Sequence, residues 1–465
     1  MTAVPVIAIV GDGVAAWMTA ATLARRLPRD RYAIHVIEPG RPTPECLGSS
    51  LTALPSLVGF HAMLGITEEM ILREARGTAA LGVAYSGWSA DGGASFFPFG
   101  AVGAPMASVA FHQLAARLVA AGRAVRPANY SVAALAAQSG RFAAGQPHGL
   151  HLELAAYRKA MRSVALAHGA TAADGPLVAV TVEDGRIAGL ALPSGTISPH
   201  LVLDCTGPAR LAIGALEARF QSWKAWLPCD RMVSGFSTEP VAPLYGQMFA
   251  EDAGWSCLTP LAGGTAELAC YSTAFAGSDG GEAFENGRLD APWIGNCIAL
   301  GTAAAVAEPL HPIGLQLTQS ALARLITLLP ATPEAAVEAA EYNRISANEL
   351  DSVRDFLTMH YATSTRAGPF WDTVRAAPLP ERAAYKRTLF EATGRIVMYD
   401  EEMFDAEDWV TLFDAHGIRP RRHDALADGF SLDEIERHFA RVRQDVIETV
   451  RAIPPYASPL PVAAA

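Results

Sequence analysis

Three small residues and one acid stand at intervals that point to nucleotide chemistry near the start of the chain. Gly11, Gly13 and Ala16 follow the apolar run Val6-Ile-Ala-Ile-Val10, and Glu38 closes a second run, Ala33-Ile-His-Val-Ile37. Gly11 lets the chain turn tightly, Gly13 lets the backbone approach a pyrophosphate, and Ala16 is small enough for close helix–strand packing. Val14, Ala15 and Ala16 open a helix whose first N–H groups are unpaired and whose dipole presents its positive end to an anion. Glu38, 25 residues after Gly13, can accept hydrogen bonds from a ribose. The prediction is a bound dinucleotide.

The elements needed to position these groups can be read around them. Val6–Val10 is uniformly apolar, as expected of a strand buried on both faces. Trp17, Ala20, Leu23 and Leu27 fall on one side of the helix that follows, which Pro28 ends. Leu152–His168 has a helical pattern. Residues 177–182 and 187–192, joined through Asp184-Gly185, read as a hairpin. Leu201-Val-Leu-Asp204 reads as another buried strand. Ile298–Val306 leads through Glu308-Pro-Leu-His-Pro-Ile-Gly314 into a helix over Leu315–Leu329. The last third is helical: Leu350, Val353, Leu357 and Tyr361 share a face. Ser431 and Glu434 form a capping box ahead of Ile435, Phe439, Val442, Val446, Val450 and Ile453. The Pro- and Ala-rich stretch 454–465 is expected to be a flexible tail.

The chain has 465 residues, of which 51% are apolar and 18% charged, enough for a large buried core. A net charge of −11 argues against a nucleic-acid surface. Cys46, Cys205, Cys229, Cys257, Cys270 and Cys297 form no CxxC pair, so neither a metal site nor a disulfide framework is expected. Only Lys159, Lys224 and Lys386 are lysines. Met1–Val10 lacks the basic start of a signal peptide, Asp12 interrupts the apolar stretch, and no uncharged apolar run reaches about 18 residues. The expectation is a cytoplasmic protein without a membrane span.

Several ordered segments resemble the flavin-dependent tryptophan halogenase family. Val10-Gly-Asp-Gly-Val-Ala-Ala-Trp17 is similar to its GGGTAGW flavin box, Asp204-Cys-Thr-Gly207 to its DCTG strand end, and Trp226-Leu-Pro-Cys-Asp-Arg231 to its LPCDR segment. Asn296-Cys-Ile-Ala, Glu308-Pro-Leu310, Tyr342-Asn343, Arg354-Asp-Phe356, His360-Tyr361, Pro369-Phe-Trp371 and Tyr399-Asp-Glu-Glu402 continue the match in order. The resemblance implies an α/β fold with a Rossmann-like FAD-binding domain of the p-hydroxybenzoate-hydroxylase type over 1–330. Mixed-sheet substrate insertions would lie at about 45–150 and 208–290, and a helical substrate-side region over 331–453. It implies FAD contacts at Ser50, Val178, Gly301, Leu310, Ile313, Gly314 and Leu315, beside Gly11, Gly13, Val14, Ala15, Ala16 and Glu38. It also implies an aromatic substrate against Phe97, Phe99 and Trp255, with molecular oxygen, a separate flavin reductase and a homodimer as partners.

The resemblance breaks where that family does its chemistry. Its members turn reduced FAD, oxygen and halide into hypohalous acid, which a lysine and a glutamate bring to the substrate. The lysine position falls on Ala80, in Gly77-Thr-Ala-Ala80-Leu-Gly-Val83, and the glutamate position on His311. The WxWxIP motif keeps only Trp255 and Pro260, and Gly48-Ser-Ser-Leu51 lacks the acid of the corresponding loop. A methyl group can neither polarise the hypohalous oxygen nor take a proton. Lys224 is the nearest conceivable substitute for the amine. The expectation is an FAD-dependent, monooxygenase-like oxidoreductase acting on an indole-like or other aromatic molecule without halogenation, with His311 as acid/base. A halogenase with displaced catalytic groups and a catalytically silent flavin-binding partner of an active paralogue stay open as alternatives.

Overall fold

The computed structural model describes residues 4–239, 244–330 and 335–456. Its centre is a six-stranded sheet in the order 293–294, 297–299, 201–204, 6–10, 33–37, 171–172. Val6–Val10 is the middle strand, with every residue from Ile7 to Val10 fully buried, which explains its unbroken apolar sequence. It runs parallel to Leu201–Asp204 on one side and Ala33–Ile37 on the other, Val10 pairing with both Asp204 and Ile37. That register brings Gly11, Cys205 and Glu38 to the same carboxyl edge of the sheet, the place where ligands bind in such folds. Helix Val14–Arg26, rich in alanine, packs against the helices Leu154–Ala167 and Gly314–Thr327.

A second, seven-stranded sheet has the order 282–283, 231–237, 264–271, 254–261, 246–251, 82–86, 94–98. It draws strands from two stretches far apart in sequence, and it is mixed because Gly246–Glu251 runs parallel to Gly82–Ser86 while its other neighbours are antiparallel. A small sheet, Ser50–Ala53, Gly149–Glu153 and Thr78–Ala80, has Gly149–Glu153 in the middle. This pairing shortens the expected helix, which begins at Leu154 rather than Leu152. The helical third is led by Ala336–Ala362 and closed by Leu432–Ala452, whose Ser431–Glu434 capping box is present.

Residues 457–465 lie outside the described residues, but the start of the expected flexible tail is docked. Phe142 N–H donates to the Pro454 carbonyl and Tyr456 N–H to that of Gly140, at 3.2 and 2.8 Å. Their backbone bonds give 454–456 a fixed place. Among the described residues no helix is long and apolar enough to cross a membrane, and all six cysteines are buried and unpaired.

Candidate functional site

The glycine turn has the geometry its spacing predicts. Gly11 sits at φ +137°, its N–H donates to Ile37 O at 2.9 Å, and a Cβ there would come within 2.7 Å of the Cys205 carbonyl. A Cβ on Gly13 would collide with the carboxylate of Glu45. That carboxylate accepts the Val14 N–H at 2.6 Å, at the helix N-terminus where anions are favoured. Gly301, at φ +59°, lies so close to Ala15 that a Cβ would stand 2.7 Å from the alanine methyl. Ala16 is fully buried. The Asp204-Cys-Thr-Gly segment fixes the neighbouring strand end. Asp204, fully buried, accepts from Thr206 N and Oγ1 through one oxygen and from the N–H groups of Ala212 and Ile213 through the other.

Glu38 is exposed at the tip of its strand, and its carbonyl accepts the Leu177 N–H at 2.8 Å. That bond brings the hairpin carrying Val178, whose side chain is exposed, to the same corner. These residues fit the pyrophosphate and ribose of FAD. A glycine cradle and a free-ended helix face one point, and an anionic stand-in, Glu45, already occupies it.

The 308–314 loop and Ser50 meet further along. A small cavity is lined by Ser50, Thr52, Cys257, Thr259, His311 and Gly314 among otherwise apolar neighbours, with no charged side chain on its wall. Leu310, Ile313 and Leu315 are buried and do not line it. His311 is 1% exposed. Its Nδ1 lies 2.8 Å from the Tyr85 hydroxyl, which also bonds Leu310 O at 3.1 Å. Both contacts are satisfied if Tyr85 donates to the carbonyl and accepts Nδ1–H, leaving Nε2 of His311 as an acceptor. Burial holds this imidazole neutral, its pKa lowered to about 3.

Phe97 meets His311 edge-on at 4.8 Å, and Phe356, stacked on Phe404 at 3.7 Å, meets it at 5.1 Å. Phe97, Phe99 and Trp255 are buried in the surrounding packing rather than on the cavity wall. Phe99 covers Gly149.

Glu308 opens the loop and is fully buried. Its N–H donates to Asn286 Oδ1 at 2.7 Å, and Asn286 Nδ2 donates to the carbonyls of Leu227 and Cys229, tying the loop to the Trp226–Arg231 segment. Neither carboxyl oxygen has a partner at hydrogen-bond geometry, nor does the Trp255 indole N–H. Burial pushes this carboxyl up to about 7, partly offset by the nearby Tyr361, Cys229, Trp255 and Asn286 groups.

No lysine among the described residues lines the cavity. Ala80 is fully buried on its strand. Lys224 does not substitute for an amine there. Its side chain is 65% exposed and stands 4.0 Å from Asp230, because the turn preceding the Trp226–Arg231 segment faces solvent. Lys386 is buried but fully engaged, bonding both oxygens of Glu402 and the Val397 carbonyl.

Three residues that motif reading passed over stand out in the fold. Glu45 holds the helix N-terminus. Thr52 lines the cavity and is bonded through Oγ1 to Nδ1 of His151 at 3.0 Å. The alternation Gly149-Leu-His-Leu-Glu153 does put His151 on the opposite face from two buried leucines, but its partner 99 residues earlier in the sequence is set by strand register.

Residues 6–431 match the family model described as Tryptophan halogenase, and the chain belongs to that family. It is 24% identical to tryptophan 6-halogenase SttH of Streptomyces toxytricini, covering 91% of this chain and 88% of SttH. Among solved structures it is similar to BrvH, a flavin-dependent halogenase from Brevundimonas sp. BAL3, at TM-score 0.90 and 28% identity over 97% of this chain and 98% of BrvH. It is also similar to Xcc4156, a flavin-dependent halogenase from Xanthomonas campestris, at TM-score 0.89 and 29% identity over 97% of each chain. Family membership makes this an FAD-dependent enzyme, in agreement with the glycine turn and its anion site.

Proposed function

We propose that the protein is an FAD-dependent oxidoreductase that oxygenates or oxidises a small aromatic molecule without halogenating it, served by a separate flavin reductase. The observation that carries this reading is the uncharged cavity beside the loop 308–314. It presents a neutral imidazole and hydroxyl groups but no amine. FAD, once reduced and exposed to molecular oxygen, would supply the oxidising equivalent. Gly11, Gly13, Val14, Ala15, Ala16, Glu38, Val178 and Gly301 would hold its nucleotide half, and Ser50, Leu310, Ile313, Gly314 and Leu315 its flavin end.

His311 would act as proton acceptor through Nε2, with Tyr85 fixing the ring by its bond to Nδ1. The aromatic packing of Phe97, Phe356 and Phe404 around it shields the ring from bulk solvent and favours a flat apolar substrate. Phe99 and Trp255 would support that wall. A halogenase with displaced groups is the second reading, favoured by the similarity to BrvH and Xcc4156 and by Glu308, a buried carboxyl three residues before His311.

Turnover by the FAD-loaded protein, with a flavin reductase and an aromatic panel, tests the choice. Product formation that does not depend on added chloride or bromide supports oxygenation or oxidation. Strict halide dependence overturns it.

A further inference from the structure

Thr52 and His151 form a polar pair that neither motif nor family reading assigns. The face of the small sheet that carries Thr52 also carries His151 and Thr78, which pair across the strands, and Ala80 opposite Gly149. Thr52 lines the cavity and His151 stands directly behind it, 0% exposed. Their single contact is Oγ1 to Nδ1 at 3.0 Å, and Nε2 of His151 is buried with no partner.

That orphaned atom decides the direction of the bond. If Thr52 donated to Nδ1, the imidazole hydrogen would sit on Nε2 as a buried N–H without an acceptor, an unsatisfied donor whose desolvation is costly. With the hydrogen on Nδ1, His151 donates to Thr52, Nε2 keeps only a lone pair, and the threonine hydrogen is free to point into the cavity. Burial keeps this imidazole neutral too. Thr52 is therefore a donor and His311, through Nε2, an acceptor on the same cavity wall. The cavity that both line has a volume of about 20 Å³, more than the roughly 10–15 Å³ that one water needs.

We propose that Thr52, oriented by His151, and His311 together hold one neutral hydroxylic molecule of water size, its oxygen accepting from Thr52 and one of its hydrogens donated to Nε2 of His311. Resting on the function proposed above, this molecule is the proton carrier of the site. As the substrate's proton passes to its oxygen, its own hydrogen passes to Nε2, leaving a water molecule and an imidazolium with no change of oxidation state. His151 is a positioning residue, since it acts only through Thr52.

Water itself is the probe. Crystal structures of the FAD-loaded full chain are compared for wild type, Thr52→Val, Thr52→Ser and His151→Asn, the asparagine amide standing where Nδ1–H stood. The expected result is an ordered solvent atom within hydrogen-bond reach of Thr52 Oγ1 and His311 Nε2 in wild type. It should be lost in Thr52→Val and retained in Thr52→Ser and His151→Asn. Absence from wild type, or persistence in Thr52→Val, overturns the proposal whatever reaction the enzyme performs.

The kinetic counterpart is a fall in kcat of roughly fivefold to tenfold in Thr52→Val, the loss of one neutral hydrogen bond, with substrate KM unchanged and serine restoring the rate. An unchanged kcat in Thr52→Val overturns the relay role. Failure of wild type to form any oxygenated or oxidised product counts against the proposed function and leaves the solvent result to be read on its own.

Discussion

Glu45 and the pyrophosphate of FAD need the same place, and removing the carboxylate should tighten FAD binding. Glu45 Oε1 accepts the Val14 N–H at 2.6 Å and fills the cradle that Gly13 leaves open. A hydrogen bond to a charged group contributes about 1.5–3 kcal/mol net, and the helix N-terminus adds some tenths. Against this, the half-buried carboxylate regains hydration when displaced, and Asp12 and Glu282 repel it while Arg158 attracts it. The net competition comes to about 1–2 kcal/mol, so Glu45→Ala should bind FAD roughly 5- to 30-fold more tightly. Glu45→Gln, which keeps an acceptor but no charge, should fall between.

The pH dependence has a definite sign. Burial raises the Glu45 carboxyl above its ordinary range, so acidification neutralises the competitor, and wild-type affinity should rise toward the mutant value as pH falls. Titration of the FAD-free protein with FAD, followed by flavin fluorescence or calorimetry, measures both effects. An affinity unchanged within twofold, or weaker in Glu45→Ala, would refute competition and make Glu45 a flavin contact instead.

Other outcomes follow from the same geometry. Gly13→Val should abolish FAD retention on a desalting column, since its side chain collides with Glu45 and closes the phosphate approach; retained flavin would contradict the assignment of the turn. Glu308, with its folded pKa raised to about 7 from 4.5, contributes full stability below about pH 4.5 and loses it as pH rises through about 7. The total is about 3 kcal/mol. Urea melts of Glu308→Gln should therefore lack that decline between pH 5 and 8, and an identical decline in both proteins would remove Glu308 as its source. His61, His151, His311 and His416, lowered to about 4, 3, 3 and 4, act oppositely. Their stability is present above about pH 6.5 and is lost as pH falls, so near pH 5 each takes up about one proton on unfolding, read as the drop in the slope of unfolding free energy against pH when that histidine is replaced by glutamine.

Much of the architecture was legible because its causes are local. Val6–Val10 needs only its own apolar run, the Gly11–Ala16 turn only its own φ angles and small side chains, and the Ser431–Glu434 capping box only a spacing of three. The mixed sheet joining Gly82–Ser86 to Gly246–Glu251 was anticipated through resemblance, not through periodicity, since parallel pairing across more than 150 residues leaves no local mark. His311 was found because it replaces a residue of known type, yet its neutrality comes from the aromatic packing of Phe97, Phe356 and Phe404. Thr52 and His151 are ordinary strand residues until register makes them neighbours. Glu45 carries no motif, and only the folded path from Arg41 to Ser50 brings it to Val14. Glu308 showed in the sequence only as part of the Glu308-Pro-Leu310 match, because complete burial, the cause of its raised pKa, cannot be read from Glu-Pro-Leu.

The most direct test of the central claim is the mass of the product formed by the FAD-loaded protein with a flavin reductase, oxygen and an indole and phenol panel, with and without bromide. The expected product gains oxygen or loses two hydrogens and is identical in mass under both conditions. A product that gains bromine would show that Ala80 and His311 do not prevent halogenation, and the proposed function would be wrong.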